Sequence, residues 1–106
     1  MMIPKHKYIR SPALLKAARE ISCQHCGRDD GTVVAAHTNW GGHKGRSIKA
    51  DDNMIASLCH TCHYAIDQGT RMTREEKLVM WQNAHIKTIE KLEELGLYPK
   101  NVPKPY

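Results

Sequence analysis

Two Cys-x-x-Cys pairs constrain the fold of this 106-residue chain more than any other feature. Each pair sets two thiolates on one side of a tight turn, and two such turns complete the tetrahedron that Zn²⁺ prefers. Four sulfur ligands leave no open position for water or substrate, so the predicted zinc is structural. A redox-active dithiol and a disulfide are the alternatives. The pairs consist of Cys23 and Cys26, and of Cys59 and Cys62.

The amino-acid composition indicates a small core that needs stabilisation by a bound metal or by disulfides. Hydrophobic residues make up 41% and Phe is absent, which leaves little material for a core. Lys5, Lys7 and Arg10 near the N-terminus precede no apolar run, and no segment is long and apolar enough for a membrane helix. We therefore expect no membrane association and a reducing cytosol, where cysteines more often bind metal.

The charge is concentrated in one half of the chain. The net charge is +5, and residues 1–50 hold nine Lys and Arg against three Asp and Glu. A basic half favours a polyanionic partner, most commonly nucleic acid. Ordinary solubility charge is the alternative interpretation.

Local signals predict three helices and two strands within one domain over residues 1–106. Ser11 before Pro12 and the capping box of Thr73 and Glu76 mark helix starts, and Gly96 marks a helix end. The predicted elements are a helix at 12–20, strands at 32–37 and 53–58, a short helix after Cys62 that ends near Gly69, and a helix at about 74–95. The core is expected at about 22–69, followed after the last helix by a tail at 97–106 with too little apolar content to fold alone.

Two histidines and an aspartate form a candidate active site. His63 and Asp67 are four residues apart on a predicted helix and so share one face, which suits a divalent cation such as Mg²⁺ or Mn²⁺. His37 ends a predicted strand and suits a general base for water. The alternative roles are structural: Asp67 solvates its helix, His63 packs beside the zinc, and His37 is a half-buried residue without chemistry.

The glycine-rich loop between the strands carries the candidate nucleic-acid contacts. Basic side chains in this position would hold phosphates of a nucleic-acid backbone, giving affinity without sequence specificity. A solvated loop is the alternative, since Asp51 and Asp52 offset part of the charge. The candidates are Asn39, Lys44, Arg46 and Lys49.

The combination of His37, a glycine-rich loop, Asn53 and a helix that follows Cys-x-x-Cys-His resembles the HNH endonucleases of the ββα-metal fold. This resemblance implies that His37 is the base, that Asn53 orients it, and that His63 and Asp67 bind the catalytic cation. A closer resemblance, over most of the chain, is to the small prophage-encoded YbcO-like nucleases. It is carried by residues 11–19, 36–39, 44–52 and 59–63, together with Asp67.

One position departs from the HNH pattern. Many HNH proteins carry an acidic or histidine metal ligand just before the base, and this chain has Ala36. Water and substrate phosphate would then complete the metal site, or His37 is itself a ligand and His43 is the base. Loss of catalysis is the third possibility.

Together these features predict an α+β fold: a zinc-stabilised ββα-metal (HNH or treble-clef-like) core flanked by an N-terminal helix and a long C-terminal helix. The predicted function is metal-dependent hydrolysis of DNA, rather than RNA, by a phage or prophage endonuclease. Its cofactors would be a structural Zn²⁺ and a catalytic Mg²⁺ or other divalent cation. The alternatives are a non-catalytic zinc module that binds DNA and a zinc-stabilised protein-interaction module.

Overall fold

The computed structural model describes residues 9–37 and 51–105 and has an α+β architecture. Within these ranges, three helices surround a two-stranded antiparallel sheet. In chain order the elements are α1 (Pro12–Arg19), β1 (Val34–His37), β2 (Ile55–Leu58), α2 (His60–Asp67) and α3 (Arg74–Glu94). Over the same ranges, no helix combines the length and apolarity that a membrane crossing needs.

The predicted helix caps are confirmed. The Ser11 hydroxyl accepts a hydrogen bond from the Leu14 backbone N–H at 3.2 Å, which satisfies a donor that has no partner within α1. Thr73 and Glu76 form the reciprocal capping box at the start of α3. Gly96 follows α3 with a φ of +71°, a left-handed conformation that glycine adopts without a steric penalty.

Helix α2 begins earlier than the sequence pattern indicates. It starts at His60 with Cys59 as its N-cap, so the second Cys-x-x-Cys turn is also the first turn of the helix and Cys62 lies within it. After the helix, the Gly69 backbone passes so close to Ala65 that an added Cβ would lie 2.5 Å from its carbonyl oxygen. Glycine is therefore required there for close approach of the backbone.

The strands pair in a register that brings the end of β1 beside the start of β2. Val34 lies opposite Leu58, and His37 lies opposite Ile55. Both strands begin two residues later than predicted. Because His37 is paired with Ile55, the residues that lead into β2 lie next to its side chain.

Strand β2 forms the centre of the core, and all four of its residues are buried. Ile55 packs in one cluster with Leu14 of α1 and Leu92 of α3. Leu58 packs in a second cluster with Trp81 of α3. Since full burial of a Leu or Ile side chain contributes about 1.5–3 kcal/mol, this short strand anchors helices on both of its faces.

The C-terminal tail packs against the rest of the chain. Val102 is buried in the cluster of Ile55 and Leu92. The Pro103 carbonyl oxygen accepts hydrogen bonds from the Asn53 side-chain amide at 2.9 Å and from the Tyr98 hydroxyl at 2.8 Å. The tail therefore supports the segment that leads into β2.

Candidate functional site

The four cysteines form one compact group, called the thiol cluster below. All four sulfur atoms lie within 4.8 Å of one another, and Cys26 Sγ is 3.6 Å from Cys59 Sγ. Zinc–sulfur bonds of about 2.3 Å place the sulfurs of a tetrahedral site roughly 3.8 Å apart. The thiol cluster therefore fits a zinc ion, and none of the four cysteines is in a disulfide.

Backbone N–H groups near Cys23 favour the thiolate form, which is the form that binds a metal cation. The N–H groups of His25 and Cys26 both point at Cys23 Sγ from 3.4 Å. Burial opposes ionisation of Cys23, but backbone N–H groups, including that of Cys59, outweigh it and lower its pKa to about 6. Burial raises the pKa of the Cys62 thiol. Because zinc binds thiolates, loading the cluster displaces thiol protons.

The first cysteine turn is fixed to the second and to the sheet. Gly27 has a φ of +84°, which lets the chain close the turn after Cys26. The Gln24 backbone N–H donates to the Ser57 carbonyl oxygen at 2.8 Å. Arg28 donates to the Thr61 hydroxyl of α2 at 3.1 Å. These contacts hold the two turns together around the cysteines.

A cavity of about 140 Å³ brings three of the predicted site residues together. His37 reaches it from the end of β1, and His63 and Asp67 reach it from one face of α2. His63 is half-buried and Asp67 is exposed. The remaining lining residues are Ala36, Leu58, Ile66 and Trp81. We call this space the His37 cavity.

A hydrogen bond and a ring stack support the wall of the His37 cavity around Ala36. The Trp81 indole N–H donates to the Ala36 carbonyl oxygen at 2.9 Å, and the Trp81 ring stacks on His85 with centroids 4.8 Å apart. Ala36 contributes a methyl group and no metal ligand. In the described part of the chain, the thiol cluster is the only group of three or more potential ligand side chains close enough to hold a metal.

Asp52 contacts His37, a role that the sequence pattern does not predict. Asp52 Oδ1 lies 3.0 Å from His37 Nε2, and Asp52 Oδ2 accepts the Ser11 backbone N–H at 2.8 Å. The sequence alone indicates Asp52 only as an offset to nearby positive charge. No local sequence signal indicates this contact, because it depends on the strand register that pairs His37 with Ile55 and brings the residues before Ile55 beside the imidazole.

Asn53 is buried at the same end of β2, where its side-chain amide donates to Pro103. Its role in orienting His37 stays a prediction. The predicted nucleic-acid contacts and the alternative base, His43, fall outside the described residues and also stay predictions. These contacts are Asn39, Lys44, Arg46 and Lys49.

Comparison with known proteins gives one match. The family model described as Putative nuclease YbcO matches residues 13–97. This range includes the thiol cluster and every described residue that contributes a polar side chain to the His37 cavity. No curated protein and no solved structure gives a significant match.

Proposed function

Because this chain belongs to the YbcO nuclease family, we propose that it is a metal-dependent HNH-type endonuclease that hydrolyses phosphodiester bonds in DNA. The observation that carries this proposal is the His37 cavity, where a strand histidine faces a histidine and an aspartate on a helix. The proposal is supported by the order of a β-hairpin followed directly by α2, which is the order expected for a ββα-metal core. In this proposal residues 1–106 form one domain, phage or prophage encoded, that acts in the bacterial host cytoplasm.

The thiol cluster would hold a structural zinc ion. Its four sulfur donors fill a tetrahedron, so no position is left for water or a phosphate oxygen. Cys23 and Cys26 precede β1, and Cys59 and Cys62 lie at the start of α2. By joining these segments, the cluster fixes β1 against α2 and keeps His37 opposite His63.

His63 and Asp67 would hold the catalytic divalent cation. One imidazole and one carboxylate suit Mg²⁺, Mn²⁺ or Ni²⁺ and leave room for water and substrate phosphate, consistent with the missing ligand at Ala36. When bound, the cation supplies positive charge that stabilises the phosphate transition state. Asp67 is exposed at the end of α2, where a substrate phosphate has access to it.

His37 would accept a proton from the attacking water. Its side chain is 33% exposed, so water reaches the imidazole while the sheet and Asp52 hold it. A positioned general base of this kind contributes about 10²- to 10⁴-fold to the rate. The basic first half of the chain would attract the DNA backbone, with the loop residues Lys44, Arg46 and Lys49 as its phosphate contacts.

A second candidate function is a zinc-stabilised DNA-binding module without catalysis. One observation favours it: the His37 cavity offers fewer protein ligands than the thiol cluster, and no described side chain completes a three-ligand set there. Such a module would use the same basic surface and bind DNA without cleaving it.

A plasmid cleavage assay separates the two functions. Zinc-loaded protein is incubated with supercoiled plasmid and Mg²⁺, Mn²⁺ or Ni²⁺, beside His37→Ala and a His60→Ala control. His60 is exposed on α2 and does not line the His37 cavity, so this control keeps full activity. We expect nicking by the wild type and the control and a loss of at least 10²-fold in His37→Ala.

Equal background nicking by all three proteins would refute the nuclease proposal with His37 as base. Retention of DNA in a gel without cleavage would then support the binding module.

A further inference from the structure

We infer that Asp52 is a positioning residue that fixes His37 in the tautomer with its proton on Nε2. Asp52 Oδ1 lies 3.0 Å from that nitrogen. A carboxylate only accepts hydrogen bonds, so the imidazole nitrogen that faces it must be the donor. The other nitrogen, Nδ1, then carries the lone pair through which His37 accepts a proton from water. The catalytic part of this inference rests on the proposed function.

The surroundings of Asp52 hold its carboxylate in one orientation. Its second oxygen, Oδ2, accepts the Ser11 backbone N–H at 2.8 Å, and its own backbone N–H donates to the Ile9 carbonyl at 2.9 Å. The side chain is only 9% exposed, and the Arg10 guanidinium lies 3.9 Å from Oδ1. The two oxygens therefore have separate partners: one binds the start of α1, and the other binds His37.

This division allows the two roles of Asp52 to be separated by one isosteric substitution. In Asp52→Asn, the amide oxygen must face the Ser11 N–H, since only the oxygen accepts a hydrogen bond. The amide nitrogen then faces His37 Nε2 and donates to it. The imidazole proton moves to Nδ1, so the connection to α1 is kept while the tautomer of the base is reversed.

The neighbouring aspartate provides a matched control. Asp51 Oδ1 accepts the Ile9 backbone N–H at 3.1 Å, so Asp51 also holds the segment before α1. The Asp51→Asn variant makes the same change of charge one residue away and leaves Asp52 in contact with His37. If Asp52 served only to anchor the segment before α1, Asp52→Asn and Asp51→Asn would have similar effects.

The first test is the tautomer of His37, measured by ¹⁵N NMR of the imidazole in zinc-loaded full-length protein at mildly alkaline pH. We expect the proton on Nε2 in the wild type and in Asp51→Asn, and on Nδ1 in Asp52→Asn. The exposed histidines His25 and His60 serve as internal references that do not change. A wild-type proton on Nδ1 would overturn the inference, and that measurement requires no variant to fold.

The second test is the cleavage rate under the plasmid assay conditions. We expect Asp52→Asn to lower kcat by about 10²- to 10⁴-fold with KM changed less than about threefold, because the base is present but in the wrong tautomer. Asp51→Asn should keep kcat close to the wild-type value, and the melting temperature of each variant reports its folding. Wild-type kcat in a folded Asp52→Asn would overturn the positioning role while the nuclease proposal stands.

Absence of cleavage by the wild type would refute the nuclease proposal instead. The NMR result would then decide alone whether Asp52 sets the tautomer of His37.

Discussion

The thiol cluster and the His37 cavity are two sites of opposite design that share α2. The thiol cluster draws four identical donors from two turns, and three of its four cysteines are buried. The His37 cavity draws different donors from β1 and α2 and stays open to solvent. Where protein side chains fill every coordination position of a metal, no position is left for a substrate. Where they fill only some, water and phosphate can occupy the others. The first design suits a structural site, and the second suits the catalytic role proposed for the His37 cavity.

The largest expected effect is loss of the thiol cluster. Cys59→Ser removes one zinc ligand and should leave the protein unfolded, because structural zinc contributes about 10–16 kcal/mol in small domains, more than most such folds can lose. Circular dichroism and zinc analysis, with about one zinc per wild-type chain expected, measure this. Thr61→Ser lies in the same turn and keeps the hydroxyl that Arg28 contacts, so it should bind zinc and fold normally.

A soluble, folded wild-type protein that contains two disulfides and no metal would contradict the assignment of the thiol cluster. So would a Cys59→Ser variant with wild-type stability.

The second prediction separates stability from activity at the His37 cavity. Asp67 is exposed and is the last residue of α2, where its negative charge interacts unfavourably with the helix dipole. Asp67→Asn should therefore raise the free energy of unfolding by about 0.3–1 kcal/mol while it lowers metal-dependent cleavage at least 10²-fold. Chemical denaturation and the plasmid assay measure the two quantities on the same preparations.

Glu90→Gln is the matched control, since Glu90 is an exposed acid on α3 that does not line the His37 cavity. It should leave cleavage unchanged. If Asp67→Asn cleaves as well as Glu90→Gln, Asp67 is not a cation ligand and the comparison between the two sites fails.

The parts of both sites that depend on local sequence could be predicted. The thiol cluster follows from two Cys-x-x-Cys turns, and the helix starts follow from caps that involve residues three positions apart. The face shared by His63 and Asp67 follows from helical spacing. The caps, the helix face and the shape of each cysteine turn are decided by neighbours along the chain, and the tetrahedral preference of zinc predicts that the two turns meet.

The parts that depend on long-range pairing could not be predicted. Contact between Asp52 and His37 requires the register of β1 against β2, and the sequence pattern of two short strands does not select one register. The Asn53 contact with Pro103 joins residues 50 positions apart. The early start of α2 was missed because Cys59 serves both as an N-cap and as a member of the thiol cluster.

The smallest expected effect concerns His85, which stacks on Trp81 in the wall of the His37 cavity. Burial lowers the pKa of His85, although its hydrogen bond with the Ile55 carbonyl at 2.7 Å acts in the opposite direction. The unfolded chain therefore binds a proton at His85 more readily than the folded one. The stability that depends on neutral His85 is complete above the unfolded pKa of about 6.5 and is lost as the pH falls below it.

His85→Gln removes this titration and should flatten the fall in stability on acidification. Denaturation at several pH values with zinc in excess measures the slope for both proteins. The two slopes should differ by less than about 1.4 kcal/mol per pH unit, the limit for one proton. Loss of zinc in acid lowers the stability of both proteins in the same way, so the difference reports His85 alone. Equal slopes would show that His85 does not contribute to the pH dependence of stability. That dependence would then arise from other groups such as the thiol cluster.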